Sequence, residues 1–473
     1  MPVLMILLMG AGIVVLNLPA GGLMRRVAFP LALVLLLAQA LFALAPSAAE
    51  GLGWPTTIFG ITPLADSLTR LLVLSIAIVG IAALLVGQSR CLDPGRRFNF
   101  INLLLLCCAG MNGIVAVSDL FTLYIFIEIA ATASFVLIVY NKGRDSYEGA
   151  FKYFLLSAVA TTLILAAIGI LMMYAGGTSF EAVGRALAGG PGSSMALLAV
   201  LLFLGGLFIK SGLVPFHGWL PDAYSTAPNP VSVLLAGIVT KATGVYALIR
   251  LTTDVFGLSQ QIAAVLLFVG TISIFVGALA ALGQRDFKRM LAYSSISQVG
   301  YIIVGLGAGN ALGVAGAIFH LFNHSIFKSL LFVNAAAVEE STGTTDIRKL
   351  GGLSSRMRFT GVTSMVGFLS AAGIPPLSGF WSKLLIIIAL FQAGHPVYAA
   401  LAILASLITL AYFLVLQRRV FFGEVAAGLE SVRDAGGWVL VPSVILAGII
   451  VAVGVFFPYI LGSFVAPFQG FAW

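Results

Sequence analysis

Four lysines and one glutamate stand where this sequence makes charge expensive. Lys210, Lys241, Lys328 and Lys383 each lie within a long apolar run. Glu128 sits in the middle of LYIFIEIAATASF, with no basic residue within ten positions. At the centre of a bilayer a charge costs at least ~2.5–3.5 kcal/mol on insertion scales, so such groups persist only when paired or bathed in internal water. None of the four cations is arginine. Lysine yields its proton readily on burial whereas arginine stays charged, so the choice of residue points to a proton path rather than to fixed counter-ions. The alternative, that each lysine snorkels to an interface, has to hold four times over. Glu128 needs a partner from another segment, and a lysine is the least costly one. That pair is either a permanent salt bridge or a contact that opens and closes. In the second case it switches how firmly the lysine holds its proton, because desolvation and opposite charge act on it in opposite directions.

The histidines and prolines extend the pattern. IFHLFNHSIFKSLLF sets His320 and His324 four residues apart with Lys328 four further on, one helical stripe with Asn323 beside it. Two histidines so spaced can form half of a metal site, but no carboxylate or H-E-x-x-H accompanies them. A proton relay or hydrogen-bonded packing suits them better. Lys210 opens KSGLVPFHGWLPDAYSTAPNPVS, in which Pro215 and Pro221, with Gly212 and Gly218, predict a helix broken partway. Broken helices free backbone groups that survive in membranes only beside protein or water-filled cavities. His217 and Asp222 follow the break, where the chain nears the cytoplasm, and are candidates for proton uptake. A capping or packing role fits His217 equally well. A second break is predicted in AAGIPPLSGFWSK, where Gly373, Pro375, Pro376 and Gly379 interrupt a segment and Lys383 follows.

The elements that must position these residues are membrane helices. Of 473 residues, 60% are hydrophobic and 9% charged, against about 25% charged in soluble domains. That excludes a soluble enzyme, a nucleic-acid-binding protein and any sizeable extramembrane domain, despite a formal charge of +8. With ~20 apolar residues needed per crossing, fourteen segments emerge: 2–20, 28–46, 66–88, 98–117, 120–140, 151–175, 195–215, 229–251, 262–283, 290–308, 311–336, 360–393 (interrupted), 397–420 and 438–464. Segments 4 and 5 are split only at Val117–Asp119, and Ser179–Leu187 reads as an interfacial amphipathic stretch. The apolar N-terminus lacks a basic n-region, so it reads as a first span rather than a signal peptide. Alternate loops hold eighteen of the 25 Lys and Arg, and the opposite loops and helix ends hold three. This asymmetry predicts a multi-pass protein of the cytoplasmic (inner) membrane with both termini on the non-cytoplasmic side. Cys91, Cys107 and Cys108 offer no cluster, haem or zinc pattern, and no phosphate-binding G-x-x-x-x-G-K-[ST] occurs.

Two short self-matches suggest a repeat. Gly212-Leu213-Val214-Pro215 matches Gly373-Ile374-Pro375-Pro376, and AFKYFLLS at Ala150 matches IFKSLLF at Ile326. Together they map segment 6 onto 11 and segment 7 onto 12. An offset of five segments reverses orientation, so the expectation is two inverted five-helix repeats, segments 4–8 and 9–13. Interrupted helices at matching positions of inverted repeats point to ion sites near the midplane. The expected organisation is 1–97, three N-terminal helices; 98–251, the first repeat; 262–420, the second; and 438–473, a C-terminal helix.

The runs KSGLVPFHGWLPDAYSTAPNPVS, KATGVYALIR, DFKRMLAYSSISQVGY, HLFNHSIFKSLLF and AAGIPPLSGFWSKLLI are similar to those of the antiporter-like subunits of respiratory complex I, of Mrp-type cation/proton antiporters and of membrane-bound energy-converting hydrogenases. The likeness covers roughly residues 100–420. It implies that Glu128 and Lys210 form the switchable pair, that Lys241 continues the path, that His320 and His324 occupy the relay region, and that Lys383 is the terminal proton site. Because the chain ends at Trp473, soon after the fourteenth segment, it resembles the shorter, fourteen-helix type.

The expected function is therefore a proton-translocating subunit of a redox-driven complex, complex I-like or hydrogenase-like. The likeness implies other integral membrane subunits as partners, homologous ones among them, together with peripheral redox subunits. No cofactor is expected in this chain; iron–sulfur clusters or flavin belong to those partners. Two alternatives stand beside this reading. One is a subunit of a gradient-driven Na⁺/H⁺ antiporter without a redox partner, and the other a scaffold that has lost transport.

Overall fold

A chain this apolar must satisfy its backbone hydrogen bonds within each segment, because hydrocarbon offers no partners. A computed structural model of the protein describes residues 2–19, 22–44, 64, 66–90, 92–188, 192–460 and 462. Among these residues the regular structure is helical, with two isolated β-bridges. The helices run α1 (Pro2–Leu16), α2 (Gly22–Leu44), α3 (Ser67–Val86), α4 (Arg97–Ala116), α5 (Leu120–Ile138), α6 (Arg144–Ala175), α7 (Phe180–Leu187), α8 (Ser194–Ser211) and α9 (Trp219–Thr226). They continue as α10 (Asn229–Asp254), α11 (Gln260–Leu282), α12 (Phe287–Gly307), α13 (Ala311–Thr342), α14 (Arg358–Ala372), α15 (Ser378–Gln392), α16 (Pro396–Val420) and α17 (Gly437–Val455).

Among the described residues twelve helical stretches are long and apolar enough to cross a membrane, with α8 and α9 counted together. The other two expected segments are shorter helices: α1 has 15 residues, and the interrupted one is divided into α14 and α15 with 15 residues each. Cys91 and the far ends of the first, second and fourteenth expected segments lie outside the described residues. The narrow split at Val117–Asp119 is real: α4 ends at Ala116, and the Asp119 side chain caps α5 by accepting from the Thr122 amide. Three helices exceed the apolar runs that announced them by more than a turn, α2 among them, which starts at Gly22 rather than 28. α6 starts at Arg144 rather than 151, and α13 continues to Thr342 rather than 336. Their added turns are polar, so a ruler of apolar length stops short of them.

The two expected interruptions are present, with one correction. The first falls at Gly212–Gly218, between α8 and α9, and takes in Pro215. Pro221 breaks nothing: it occupies the first turn of α9, where a missing amide hydrogen forfeits no intrahelical bond. The second falls at Gly373–Leu377, spanning Pro375 and Pro376. Gly373 adopts φ +86°, and a Cβ there would press on the Lys383 side chain. Glycine at that position thus both ends α14 and leaves room for the lysine.

α13 is the axis of the bundle. It packs against α3, α10, α12, α14, α15 and α17, and it is as fully enclosed by protein as α10. Two pairs of connections repeat one hydrogen-bonded clasp. In the first, Leu120 N donates to Thr178 O, Phe180 N to Ser118 O, and Thr178 Oγ1 to Asp119. In the second, Phe287 N donates to Thr345 O, Ile347 N to Arg285 O, and Thr345 Oγ1 to Asp286.

Candidate functional site

α5, α6 and α8 bring the first charged pair together. Lys210 Nζ lies 2.9 Å from Glu128 Oε1 and donates a second hydrogen bond of 2.6 Å to Ser157 Oγ on α6. Thr161 Oγ1, one turn further along α6, donates to the same glutamate oxygen at 2.6 Å. The two partners differ sharply in exposure: the Lys210 side chain is 1% exposed and that of Glu128 33%. Glu128 borders the outward stripe of α5 that carries Phe121, Ile125 and Val136. The lysine is thus sealed inside the bundle, while its counter-ion reaches the flank.

Lys241 follows on α10, a helix that is irregular where it matters. Leu235–Val239 and Lys241–Tyr246 form π-helical turns, a geometry common at functional sites. Lys241 Nζ donates to the Ala236 carbonyl, and nearby Tyr224 OH and Thr240 Oγ1 bond each other and the Leu235 carbonyl. Gly244 makes the approach to α8 possible, since a Cβ there would lie 2.5–2.8 Å from Ser211 and the Lys210 carbonyl carbon.

The stripe on α13 is where its spacing puts it. His320 Nδ1 is 2.8 Å from Ser382 Oγ on α15. The His320 and His324 rings stack at 6.2 Å, and neither His324 nitrogen meets a hydrogen-bond partner among the described residues. Lys328 Nζ donates to Leu291 O (2.9 Å) and Ser294 Oγ (2.7 Å) on α12 and lies 5.9 Å from the centre of the Phe413 ring. Tyr412 OH donates to Ser294 from the other side. No group of three or more His, Cys, Asp or Glu able to hold a metal occurs among the described residues.

Lys383 closes the line. Its Nζ donates to Ala371 O at 2.9 Å and to Ala372 O at 3.4 Å. These are the last carbonyls of α14, so the ammonium caps a helix C-terminus and meets the negative end of its dipole. The Tyr301 ring centre lies 4.4 Å away, and the same ring is 5.9 Å from His320, a favourable cation–π placement for the lysine. Among the described residues no carboxylate pairs with Lys241, Lys328 or Lys383. Carbonyls, hydroxyls and aromatic faces hold them instead. Such neutral partners let a lysine keep or lose its proton without stranding a counter-charge.

The two candidates beyond the first break separate. Asp222 is held by Lys152 at 2.6 Å and Arg289 at 2.8 Å, in a network that also includes Glu148. His217 is half-buried and stands apart from that network, in the short turn between α8 and α9. Residues that sequence reasoning passed over supply most of the contacts: Ser157, Thr161, Ser294, Tyr301, Ser382 and Tyr412. Ser157 and Thr161 carried a faint signal, two hydroxyls one helical turn apart in an apolar segment. Two cations assigned to loops and helix ends are also buried. Lys288 pairs with Glu339 at 2.6 Å. Arg250, 3% exposed, binds Asp66 through both terminal nitrogens and reaches Asp254 as well.

The chain is similar to known membrane proteins along most of its length. Residues 117–409 match the family described as NADH:quinone oxidoreductase/Mrp antiporter, TM. Over 367 residues the chain is 36% identical to NADH-quinone oxidoreductase subunit N of Desulforudis audaxviator, covering 76% of this chain and 72% of that one. Over 399 residues it is 33% identical to a Na(+)/H(+) antiporter subunit of Alkalihalophilus pseudofirmus, covering 84% and 80%. A chain of the Mrp complex from Dietzia sp. DQ12-45-1b superposes with a TM-score of 0.89 at 23% identity, over 98% of this chain and 97% of that one, and so shares the fold. This multi-pass membrane protein belongs to the NADH:quinone oxidoreductase/Mrp antiporter transmembrane family.

Proposed function

We propose that the chain is the proton-translocating, antiporter-like subunit of a redox-driven membrane complex, complex I-like or of the energy-converting hydrogenase kind. The observation that carries this reading is the 2.9 Å Glu128–Lys210 pair, whose lysine is sealed in the bundle at the head of a line of buried lysines and histidines. A proton is taken up from the cytoplasm near the α8–α9 interruption, with His217 and Asp222 at its mouth, and passes to Lys210 and Lys241. It crosses the bundle through His324 and His320, with Lys328 alongside, and Lys383 releases it on the opposite side. Opening the Glu128–Lys210 contact removes the charge that holds the proton on Lys210 and so drives it onward.

Unpartnered buried atoms support this path. Ser211 Oγ, Ser297 Oγ, both amide atoms of Gln298, His320 Nε2 and both ring nitrogens of His324 have no hydrogen-bond partner among the described residues. Buried polar groups are bonded to protein or to water, which favours a hydrated line through the bundle. Each unit charge moved against 100 mV requires about 2.3 kcal/mol. On this reading the chain is a translocase subunit whose driving force comes from peripheral redox subunits carrying the iron–sulfur clusters or flavin. Homologous membrane subunits are its lateral partners, and the outward-reaching Glu128 marks a flank that such a neighbour covers. Both termini face the non-cytoplasmic side of the cytoplasmic membrane. The repeated clasp, with every partner displaced by 167 residues, supports inverted repeats over 98–251 and 262–420, flanked by 1–97 and 438–473.

A subunit of a secondary Na⁺/H⁺ antiporter is the second reading, favoured by the 33% identity to the Na(+)/H(+) antiporter relative. Gentle purification of the tagged chain from native membranes tests the two. Redox subunits in fixed ratio, with iron–sulfur or flavin signals, support the first. Small membrane subunits alone, without such signals, support the second. Lys210→Ala tests the path in either case: ion movement should be abolished in a complex that still assembles, and transport at normal rates would exclude the path.

A further inference from the structure

The second clasp has a consequence at the surface. By tying Ile347 N to Arg285 O at 2.8 Å, it brings the α11–α12 connection beside the α13–α14 connection at the arginine-rich end of the bundle. The C-terminal turn of α16 reaches the same place. Between the three lies an open surface cavity of about 570 Å³, lined by the exposed Arg285, Arg348 and Arg419 with Ile347 and Leu350. Of the two carboxylates beside it, Asp286 accepts from the Thr345 hydroxyl and the Arg289 amide, and Asp346 is taken by Arg348 through bonds of 2.9 and 2.7 Å. Arg285 and Arg419 form no ion pair among the described residues. Three arginines therefore line the cavity beside two carboxylates that are each already held, and they share it with two aliphatic side chains.

The surroundings say what sort of anion would fit. Arg285 follows Leu279 and Leu282, which stand exposed on the last turns of α11. Arg419 ends an exposed stripe on α16 that runs through Ala411 and Val415, with Leu414 and Arg418 alongside. α11 and α16 pack against each other. Two adjacent lipid-facing stripes thus each end in an unpaired arginine at one cavity. We propose that this cavity binds the headgroup of an anionic phospholipid, its phosphate held by Arg285, Arg348 and Arg419 and its acyl chains lying along the apolar stripes of α11 and α16. Basic pockets between membrane helices recognise such headgroups, and guanidinium pairs phosphate through two parallel hydrogen bonds. A free phosphate would use the arginines but gain nothing from the stripes.

The test uses the full-length chain in its purified, delipidated complex. Native mass spectrometry follows binding of phosphatidylglycerol and of phosphatidylcholine with identical acyl chains, each with and without millimolar inorganic phosphate. Phosphatidylglycerol should be retained in preference and resist phosphate. Each arginine removed should weaken it roughly fivefold, so the double variant Arg285→Ala/Arg419→Ala should bind about 25-fold more weakly. The double variant Arg285→Lys/Arg419→Lys keeps the charge and should retain most of the binding, and thermal unfolding checks that both variants are folded. Equal binding of the two lipids, unchanged binding in the folded alanine variant, or full displacement by inorganic phosphate would each overturn the assignment.

Discussion

Replacing Glu128 with glutamine is the sharpest test of the charged pair. The amide is isosteric, still accepts from Thr161 and Lys210, and removes only the charge. Two unit charges 2.9 Å apart attract by about 6 kcal/mol at an effective dielectric near 20. The outward reach of Glu128 reduces that, and taking away one member of a buried pair costs about 3–5 kcal/mol in practice. Even the lower figure makes charged Lys210 more than about a hundredfold less favourable relative to its neutral form. Ser157→Ala is the matched control: it forfeits the 2.6 Å hydrogen bond but keeps the counter-ion, at about 1.5 kcal/mol, or roughly tenfold. The assay is proton uptake by inverted membrane vesicles, followed with a pH-sensitive dye and normalised to assembled complex on native gels. Glu128→Gln should pump at about one hundredth of the parent rate or less, and well below Ser157→Ala, with assembly intact. Pumping by Glu128→Gln at or above the Ser157→Ala rate would refute the idea that the counter-charge governs the proton on Lys210.

Other consequences are accessible by simpler means. Gly244→Ala drives a methyl into Ser211 and the Lys210 backbone; about 1–3 kcal/mol of destabilisation from overpacking should appear as a lower unfolding temperature, and an unchanged one would contradict the close approach of α8 and α10. Arg250→Gln strips the buried guanidinium from Asp66 and Asp254. The loss of about 3 kcal/mol should raise hydrogen exchange at the start of α3, which Asp66 caps. Asp346 is held down to about 2, chiefly by its side-chain hydrogen bonds from Arg348. Its carboxylate is therefore depressed in the folded state, so its contribution is complete above the unfolded value near 4 and fades only as pH falls toward 2. Hydrogen exchange of the 343–350 connection, measured on samples pre-equilibrated at pH 7 and pH 4.5 and corrected for intrinsic rates, should give the same protection; earlier loss would mean that the Arg348 contact does not form.

How much was legible in the sequence follows from what each residue costs. Glu128 and the four lysines announced themselves because charge in an apolar segment demands a partner, and the Glu128–Lys210 contact meets that demand. The serines, threonines and tyrosines that hold the lysines gave no such signal. A hydroxyl in a helix can satisfy itself on a carbonyl four residues back, as Ser325 does on Leu321, so its presence predicts little. Pro221 was misread because a proline in the first turn of a helix looks, in sequence, like one that interrupts it. Lys288 and Arg250 were assigned to loops and helix ends by position alone, and only packing reveals that Glu339 and Asp66 enclose them. The π-helical turns around Lys241 were not foreseen either; Gly237 and Gly244 mark where α10 comes close to its neighbours, but glycine spacing alone does not reveal a change of helical pitch.

The outward reach of Glu128 bears on how the protein is made. An ionised carboxylate on a lipid-facing flank, among Phe121, Ile125 and Val136, leaves a newly inserted chain with one surface ill-suited to hydrocarbon. On the proposed assembly, in which another membrane subunit covers that flank, an orphan chain carries a local flaw of the sort that membrane proteases and chaperones can read. Its lifetime in the cell should therefore depend on the supply of its neighbours, so that production of the subunit and completion of the assembly are coupled through one side chain.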